Sequence, residues 1–231
     1  APTDAVPVRL NVNENPYAPP AAVVQAMTTA VTQALTSANR YPDREAVALR
    51  AALADYVGVG LDQVWAANGS NEVMHQLMLA FGGPGRTALG FSPTYSMYPE
   101  YCRDTFTRYV TIPRDADFRV DPVAAVFAIE AHRPDIVLLA SPNNPTGTPL
   151  ELDVVRAVLD AAPGMVVVDE AYAEFRRSGT PSSLELLADH PRLVVTRTMS
   201  KAFALAGGRL GYLSADPSLV DALRLVRMPY H

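Results

Sequence analysis

Three short runs constrain this chain more than any other feature: residues 136–140 (IVLLA), 165–168 (MVVV) and 193–196 (LVVT) are almost continuously apolar. A strand with one face in water alternates polar with apolar residues, whereas a strand covered on both faces does not. Residues 150–162 read as a helix between the first two runs. Upstream, strand-like residues 64–67 lead into helical residues 71–81. The turn Gly82-Gly83-Pro84-Gly85 then leads to a strand over 87–91. Strands alternating with helices predict an α/β domain of three layers, with a mainly parallel sheet in the middle. Ligands of such sheets bind beyond the carboxyl ends of the strands, so the polar residues found there carry the functional reading.

Ahead of this pattern, residues 2–20 are rich in Pro and Asn, and Pro7, Pro16, Pro19 and Pro20 predict an extended arm. Helical spacing follows over 21–36 (Val23, Val24, Met27, Val31, Leu35) and over 44–56 (Val47, Leu49, Leu53, Tyr56). Composition excludes several function classes. A net charge of −5 with no basic stripe argues against nucleic acid, and no apolar run nears the ~20 residues of a membrane span. Residues 1–9 lack the charged start and apolar stretch of a signal peptide, and the single Cys102 fits a reducing cytoplasm. His75, His132, His190 and His231 are too widely spaced to suggest a metal site.

Lys201 is the only lysine among 19 basic residues. Codon bias toward Arg accounts for the scarcity. However, Arg can supply charge but only a primary amine can form an imine. The strand ends around Lys201 decide between an incidental and a chemical role. The run over 165–168 ends in Asp169-Glu170-Ala171-Tyr172. A carboxylate there is either a cap or ion-pair partner, or the group that keeps a heterocyclic nitrogen protonated. The run over 136–140 ends in Ser141-Pro142-Asn143-Asn144-Pro145-Thr146-Gly147, a turn signal that also brings one or two amides to the sheet mouth. The run over 193–196 enters Arg197-Thr198-Met199-Ser200-Lys201, with Arg209 eight residues further on. This is either a polar loop or hydroxyls and a guanidinium arranged for phosphate. Residues 64–67 end in Asn68-Gly69-Ser70-Asn71-Glu72, where free N–H groups at a helix start form an anion site; Ser70 as a plain N-cap is the competing reading. One ligand accounts for all four ends: an aromatic, phosphorylated aldehyde bound by an amine. Ser70, Asn71, Thr198, Ser200 and Arg209 would meet its phosphate, Asp169 its ring nitrogen, and Asn144 and Tyr172 its phenolic oxygen.

With these residues the sequence resembles the fold-type I aminotransferases that use pyridoxal 5′-phosphate (PLP), in particular the histidinol-phosphate aminotransferases. The resemblance rests on Asn11 through Tyr17 (NVNENPY), Arg40-Tyr41-Pro42-Asp43, Gly69 through Glu72, Pro93-Thr94-Tyr95, Ser141 through Gly147, Asp169 through Tyr172, and Thr198 through Arg209. It implies that Lys201 binds the cofactor as an imine and later moves the substrate proton. Asp169 would pair with the pyridinium, and Tyr95 would stack on the ring. The cofactor contacts would include Glu72 alongside Ser70 and Asn71. Tyr17, Asn13 and Asn144 would lie near the substrate. Tyr41 would reach the partner subunit's cofactor phosphate, making a cytoplasmic homodimer the working unit. The implied reaction passes the amino group of histidinol phosphate to 2-oxoglutarate, in histidine biosynthesis.

Two departures accompany the resemblance. Gly208 stands where the family has Leu, which predicts a local packing change. The family also runs on past His231 into a small domain bearing carboxylate-binding arginines. Residues 1–40 are therefore expected to be the arm and a helix of the small domain or dimer contact, residues 41–231 the cofactor-binding large domain, and most of the small domain absent. An aromatic amino-acid aminotransferase, a phosphate-ester decarboxylase on the same scaffold, and a PLP-binding fragment without turnover all stay open at this point.

Overall fold

The computed structural model describes residues 11–230. The start of the arm before Asn11, the signal-peptide reading over residues 1–9, and His231 lie outside the described residues. The order is α1 (Ala21–Leu35), α2 (Val47–Val57), β1 (Val64–Ala67), α3 (Ser70–Phe81), β2 (Thr87–Ser92), α4 (Tyr98–Asp104) and β3 (Arg108–Pro113). It continues with α5 (Pro122–His132), β4 (Ile136–Ala140), α6 (Leu152–Ala161), β5 (Met165–Asp169), β6 (Leu193–Thr198), β7 (Gly211–Ala215) and α7 (Pro217–Val226).

The seven strands form one sheet in the order β1-β7-β6-β5-β4-β2-β3. Strands β3, β2, β4, β5 and β6 are mutually parallel, and β7 runs antiparallel to both β6 and β1. The mainly parallel expectation therefore holds, with one reversed strand. Because β1 is antiparallel to β7, it points the same way as β6, and Ala67 and Thr198 face Gly211 from opposite sides. All the polar strand ends thus open onto one mouth.

The unbroken apolar runs are explained by burial on both faces. Ile136, Leu138 and Val167 pack with Val73, Leu77 and Val220, from α3 and α7, on one side. Val137, Leu139, Val166 and Val168 pack with Ile129, Val155 and Leu159, from α5 and α6, on the other. Three layers result.

The N-terminal helices depart from expectation. Helix α1 forms where predicted but buries none of its residues; Val31 and Leu35 are 57% and 66% exposed. In α2 only Leu53 of the four predicted apolar positions is buried, because the helix meets the sheet along one narrow edge. Arg50 shares that edge: its guanidinium caps the carbonyls of Val64 (2.7 Å) and Leu61 (2.8 Å). Strands β3 and β7 and helices α4, α5 and α7 were not singled out from sequence. Edge strand β3 mixes exposed with half-buried residues and lacks the apolar signature.

A Cβ at Gly164, just before β5, would clash with the Asp135 carbonyl oxygen, whereas one at Gly207 meets nothing. Gly164→Ala should therefore lower stability by about 1–3 kcal/mol in urea denaturation, and Gly207→Ala should leave the midpoint nearly unchanged.

Candidate active site

Two carboxylates stand in succession at the end of β5, and they are treated differently. Glu170 is buried and satisfied: Arg197 donates to it from Nη2 (2.7 Å) and Nε (3.2 Å), Ser182 Oγ at 2.8 Å, and the Ser183 N–H at 2.7 Å. Asp169 is also buried but receives only neutral donors. These are Tyr98 Oη (3.1 Å) on Oδ2, and the Ala171 N–H (3.1 Å) and Thr196 Oγ (3.3 Å) on Oδ1. No arginine, lysine or histidine forms an ion pair with it among the described residues. Burial pushes the Asp169 carboxyl up, against the pull of those three hydrogen bonds. A buried carboxylate without a cation fits a cationic ring nitrogen.

Across the mouth the imbalance is reversed. Arg209 pairs with no acid among the described residues; it donates to Ser200 Oγ (3.4 Å) and to the carbonyls of Ala206 (3.0 Å) and Asn68 (3.4 Å). Thr198 Oγ donates to Ser200 Oγ at 3.0 Å, so the two hydroxyls lie side by side. Gly69 caps α3 at φ 96°, and Ser70 is the first helical residue. The N-cap position thus falls to Gly69, and the Ser70 side chain makes no hydrogen bond among the described residues. The N–H groups of Ser70 and Asn71 donate to no acceptor among the described residues. Two glycines permit this crowding. A Cβ at Gly69 would strike the Arg209 guanidinium, and one at Gly211 would strike the Ser70 N–H. Hydroxyls, orphan N–H groups and an unpaired guanidinium suit a phosphate. At position 208 an added Cβ would meet only Leu205, at 3.6 Å, an ordinary contact.

Lys201 lies between the two sites, half-buried, its Nζ donating to the arm carbonyls of Asn13 (3.1 Å) and Val12 (3.3 Å). Burial holds its ammonium below the ordinary lysine value; Glu14 opposes this and the Arg209 charge adds to it. Of the two loop amides, the structure selects one. Asn143 is buried and fully used, accepting from Thr94 (3.0 Å) and Arg114 (3.0 Å) while donating to Thr146 (2.7 Å) and Pro93 O (3.1 Å). Asn144 is left facing the cleft with Tyr172, whose hydroxyl accepts from Asn13 Nδ2 at 2.9 Å. Tyr95 lines the same wall and donates to Asn71 Oδ1 at 3.4 Å.

The cleft these residues share measures about 780 Å³, within the ordinary range for a small-molecule site. It gathers Asn13, Ser70, Asn71, Tyr95, Asn144, Asp169, Tyr172, Thr198, Ser200, Lys201 and Arg209. Glu72, Tyr17 and Tyr41, the last expected at the partner subunit's cofactor, do not line it. Glu72 turns back along α3, accepting from the Asn68 N–H (2.7 Å) and Gln76 (3.2 Å), so its carboxylate braces the loop instead of meeting a ligand. Tyr41 is exposed and stacks on Tyr230, with ring centroids 4.4 Å apart. Tyr17 is 80% exposed. Tyr98 and Thr196, both on Asp169, were missed from sequence: nothing in a tyrosine near a helix start or a threonine inside a buried strand marks its target.

The family model for class I and II aminotransferases matches residues 5–231. The chain belongs to that family. It is 61% identical over 237 residues to histidinol-phosphate aminotransferase 3 of Burkholderia lata, covering 100% of this chain and 64% of that protein. The same identity and coverages hold over 233 residues for histidinol-phosphate aminotransferase of Thermobifida fusca. The chain thus spans about 64% of the length of these curated relatives. The crystal structure of Sinorhizobium meliloti histidinol-phosphate aminotransferase in complex with pyridoxal-5′-phosphate superposes with a TM-score of 0.85 at 28% identity. That match covers 95% of this chain and 59% of that one. The resemblance read from the motifs is borne out. Among the described residues no cluster of metal-ligating side chains occurs, and no helix is long and apolar enough to cross a membrane.

Two measurements on this chain test the site without needing turnover. Inorganic phosphate should raise the melting temperature, and Arg209→Gln and Gly69→Ala should each abolish that rise. A carboxyl with a raised folded-state pKa binds its proton more tightly folded than unfolded. Stability is therefore lost as pH climbs from the ordinary Asp range through the raised value. Without cofactor, the chain should lose stability relative to Asp169→Asn across that window, as read by urea denaturation at successive pH values.

Proposed function

We propose that this chain binds PLP through Lys201 and serves a transamination from histidinol phosphate to 2-oxoglutarate, yielding imidazole acetol phosphate and glutamate in histidine biosynthesis. The observation that carries the reading is a charge imbalance: a buried carboxylate and a guanidinium, each without an ion-pair partner among the described residues, face one cleft with the chain's only lysine. A ligand with a cationic ring and an anionic phosphate completes both. When bound, the cofactor supplies an aromatic ring that takes up the electrons left behind as the substrate proton departs.

The chain's own groups do the rest. Ser70, Asn71, Thr198, Ser200 and Arg209 anchor the phosphate. Asp169 keeps the ring nitrogen protonated, and Asn144 and Tyr172 bond the ring oxygen. Tyr95 covers the ring face. The Lys201 amine, released when the substrate amine takes its place and eased toward its neutral form by burial, would take the substrate proton and hand it on to the far side of the transferred nitrogen. Asn13 and Tyr17 border the substrate. Glu72 serves indirectly, by holding the loop before Ser70.

We further propose a cytoplasmic homodimer in which Tyr41 reaches the partner subunit's cofactor phosphate. Residues 1–40 would contribute to the small domain or dimer contact, and residues 41–231 would form the cofactor-binding domain. The exposure of Tyr41 and of the apolar stripe of α1 supports this reading.

Mixing the protein with PLP should give a visible absorption band that borohydride removes, and Lys201→Ala should lack it. Retention of the band by Lys201→Ala would refute the assignment. Turnover should fall by about 100- to 10,000-fold in that variant. Histidinol phosphate should be preferred over phenylalanine with 2-oxoglutarate as acceptor; equal or better use of phenylalanine would move the assignment to the aromatic amino-acid enzymes.

A further inference from the structure

Beneath the cleft, one buried phenol touches two residues to which no role in holding each other has been given. Tyr98, the first residue of α4, is 0% exposed. Its hydroxyl donates to Asp169 Oδ2 at 3.1 Å. Its ring meets Tyr95 edge to face, with centroids 5.7 Å apart and planes at 89°. The Tyr98 side chain therefore stands behind both the candidate partner of the ring nitrogen and the candidate ring-stacking residue.

The geometry gives the hydroxyl a specific task. Asp169 Oδ1 is occupied by the Ala171 N–H and Thr196 Oγ, which leaves Oδ2 as the oxygen available to a ligand. Tyr98 takes one acceptor position on Oδ2 and so fixes the direction of the other. A carboxylate otherwise rotates freely about its last bond; three donors on two oxygens remove that freedom. Burial and the adjacent Asp169 charge push the phenol well above the ordinary tyrosine range, so it stays a donor at any working pH. On the other side, the edge-to-face contact sets the tilt of Tyr95, an arrangement favoured by the charge distribution of aromatic rings.

We propose that Tyr98 is a positioning residue for the cofactor, holding Asp169 Oδ2 and the Tyr95 ring in the relative placement that grips an aromatic cation. The proposal rests on the PLP reading above. It adds to that reading a residue at the cleft lining whose contribution runs through Asp169 and Tyr95.

The test is a double-mutant cycle on PLP affinity, using the protein with Tyr98→Phe, Asp169→Asn and both. Tyr98→Phe keeps the ring and its packing and removes one hydrogen bond to a charged group. PLP should dissociate about tenfold more readily, and the visible band should shift in wavelength. In the Asp169→Asn background the same change should have little effect, because the carboxylate it orients is gone. An unchanged affinity, or an equal loss in both backgrounds, would show that Tyr98 only packs. Should Tyr98→Phe fail to fold, Tyr98→Met, which fills much of the same space without a donor, decides by the same cycle: a loss confined to the Asp169 background supports the role, and a loss equal in both overturns it. If the wild-type protein shows no borohydride-sensitive band, the cofactor reading itself fails and takes this role with it. A normal wild-type band with unaltered Tyr98→Phe affinity overturns the role of Tyr98 alone.

Discussion

The structure turns on how two neighbouring carboxylates are accommodated at the end of a strand buried on both faces. Glu170 is neutralised by Arg197 from β6, with Ser182 and the Ser183 N–H completing its shell. That ion pair joins the ends of β5 and β6, the two strands that deliver Asp169 and the Lys201 loop. Breaking a buried pair by removing one partner leaves an uncompensated charge and is strongly destabilising. Among the described residues Asp169 has no such compensation. The same short segment therefore contains a closed electrostatic site that braces the fold and an open one that awaits a ligand.

The open site works because the backbone comes unusually close at the mouth. Gly211 at the start of β7 lies against the Ser70 N–H, and Gly69 leaves room for Arg209. With both side chains absent, a helix start, two hydroxyls and a guanidinium converge on one small volume. The reversed direction of β7 matters here. It places its first residue opposite Thr198 on one side and Ala67 on the other, and so draws the β1–α3 junction to the same edge as the β6 loop.

Much of this was readable in advance. Strands β4, β5 and β6 announce themselves because burial on both faces leaves a one-dimensional trace, an unbroken apolar run. The four polar strand ends were readable for the same reason, since a polar cluster directly after such a run must lie at the sheet mouth. The trace fails where a strand is short or at the edge. Strand β7 passes unnoticed between Arg209 and the α7 cap, and β3, at the sheet edge, lacks the unbroken apolar run. It fails too for α1 and α2, whose apolar spacing is correct while Val47, Leu49 and the whole stripe of α1 remain exposed. Spacing reports which residues share a helix face, but carries nothing about whether a partner surface covers that face.

Lys201, Asp169, Arg209 and the order of the motifs lie in the sequence itself, because a sole amine and the polar ends of apolar runs are local properties. Only the tertiary structure separates Asn144 from Asn143, turns Glu72 into a brace, makes Ser70 the first helical residue instead of a cap, and brings Tyr98 beneath Asp169. Each of these depends on hydrogen bonds, backbone angles or side-chain directions that take shape only in three dimensions. Tyr98 and Asp169 are 71 positions apart. No pattern of neighbours records a contact made across that separation; it exists only once the sheet has closed and the helices have packed on it.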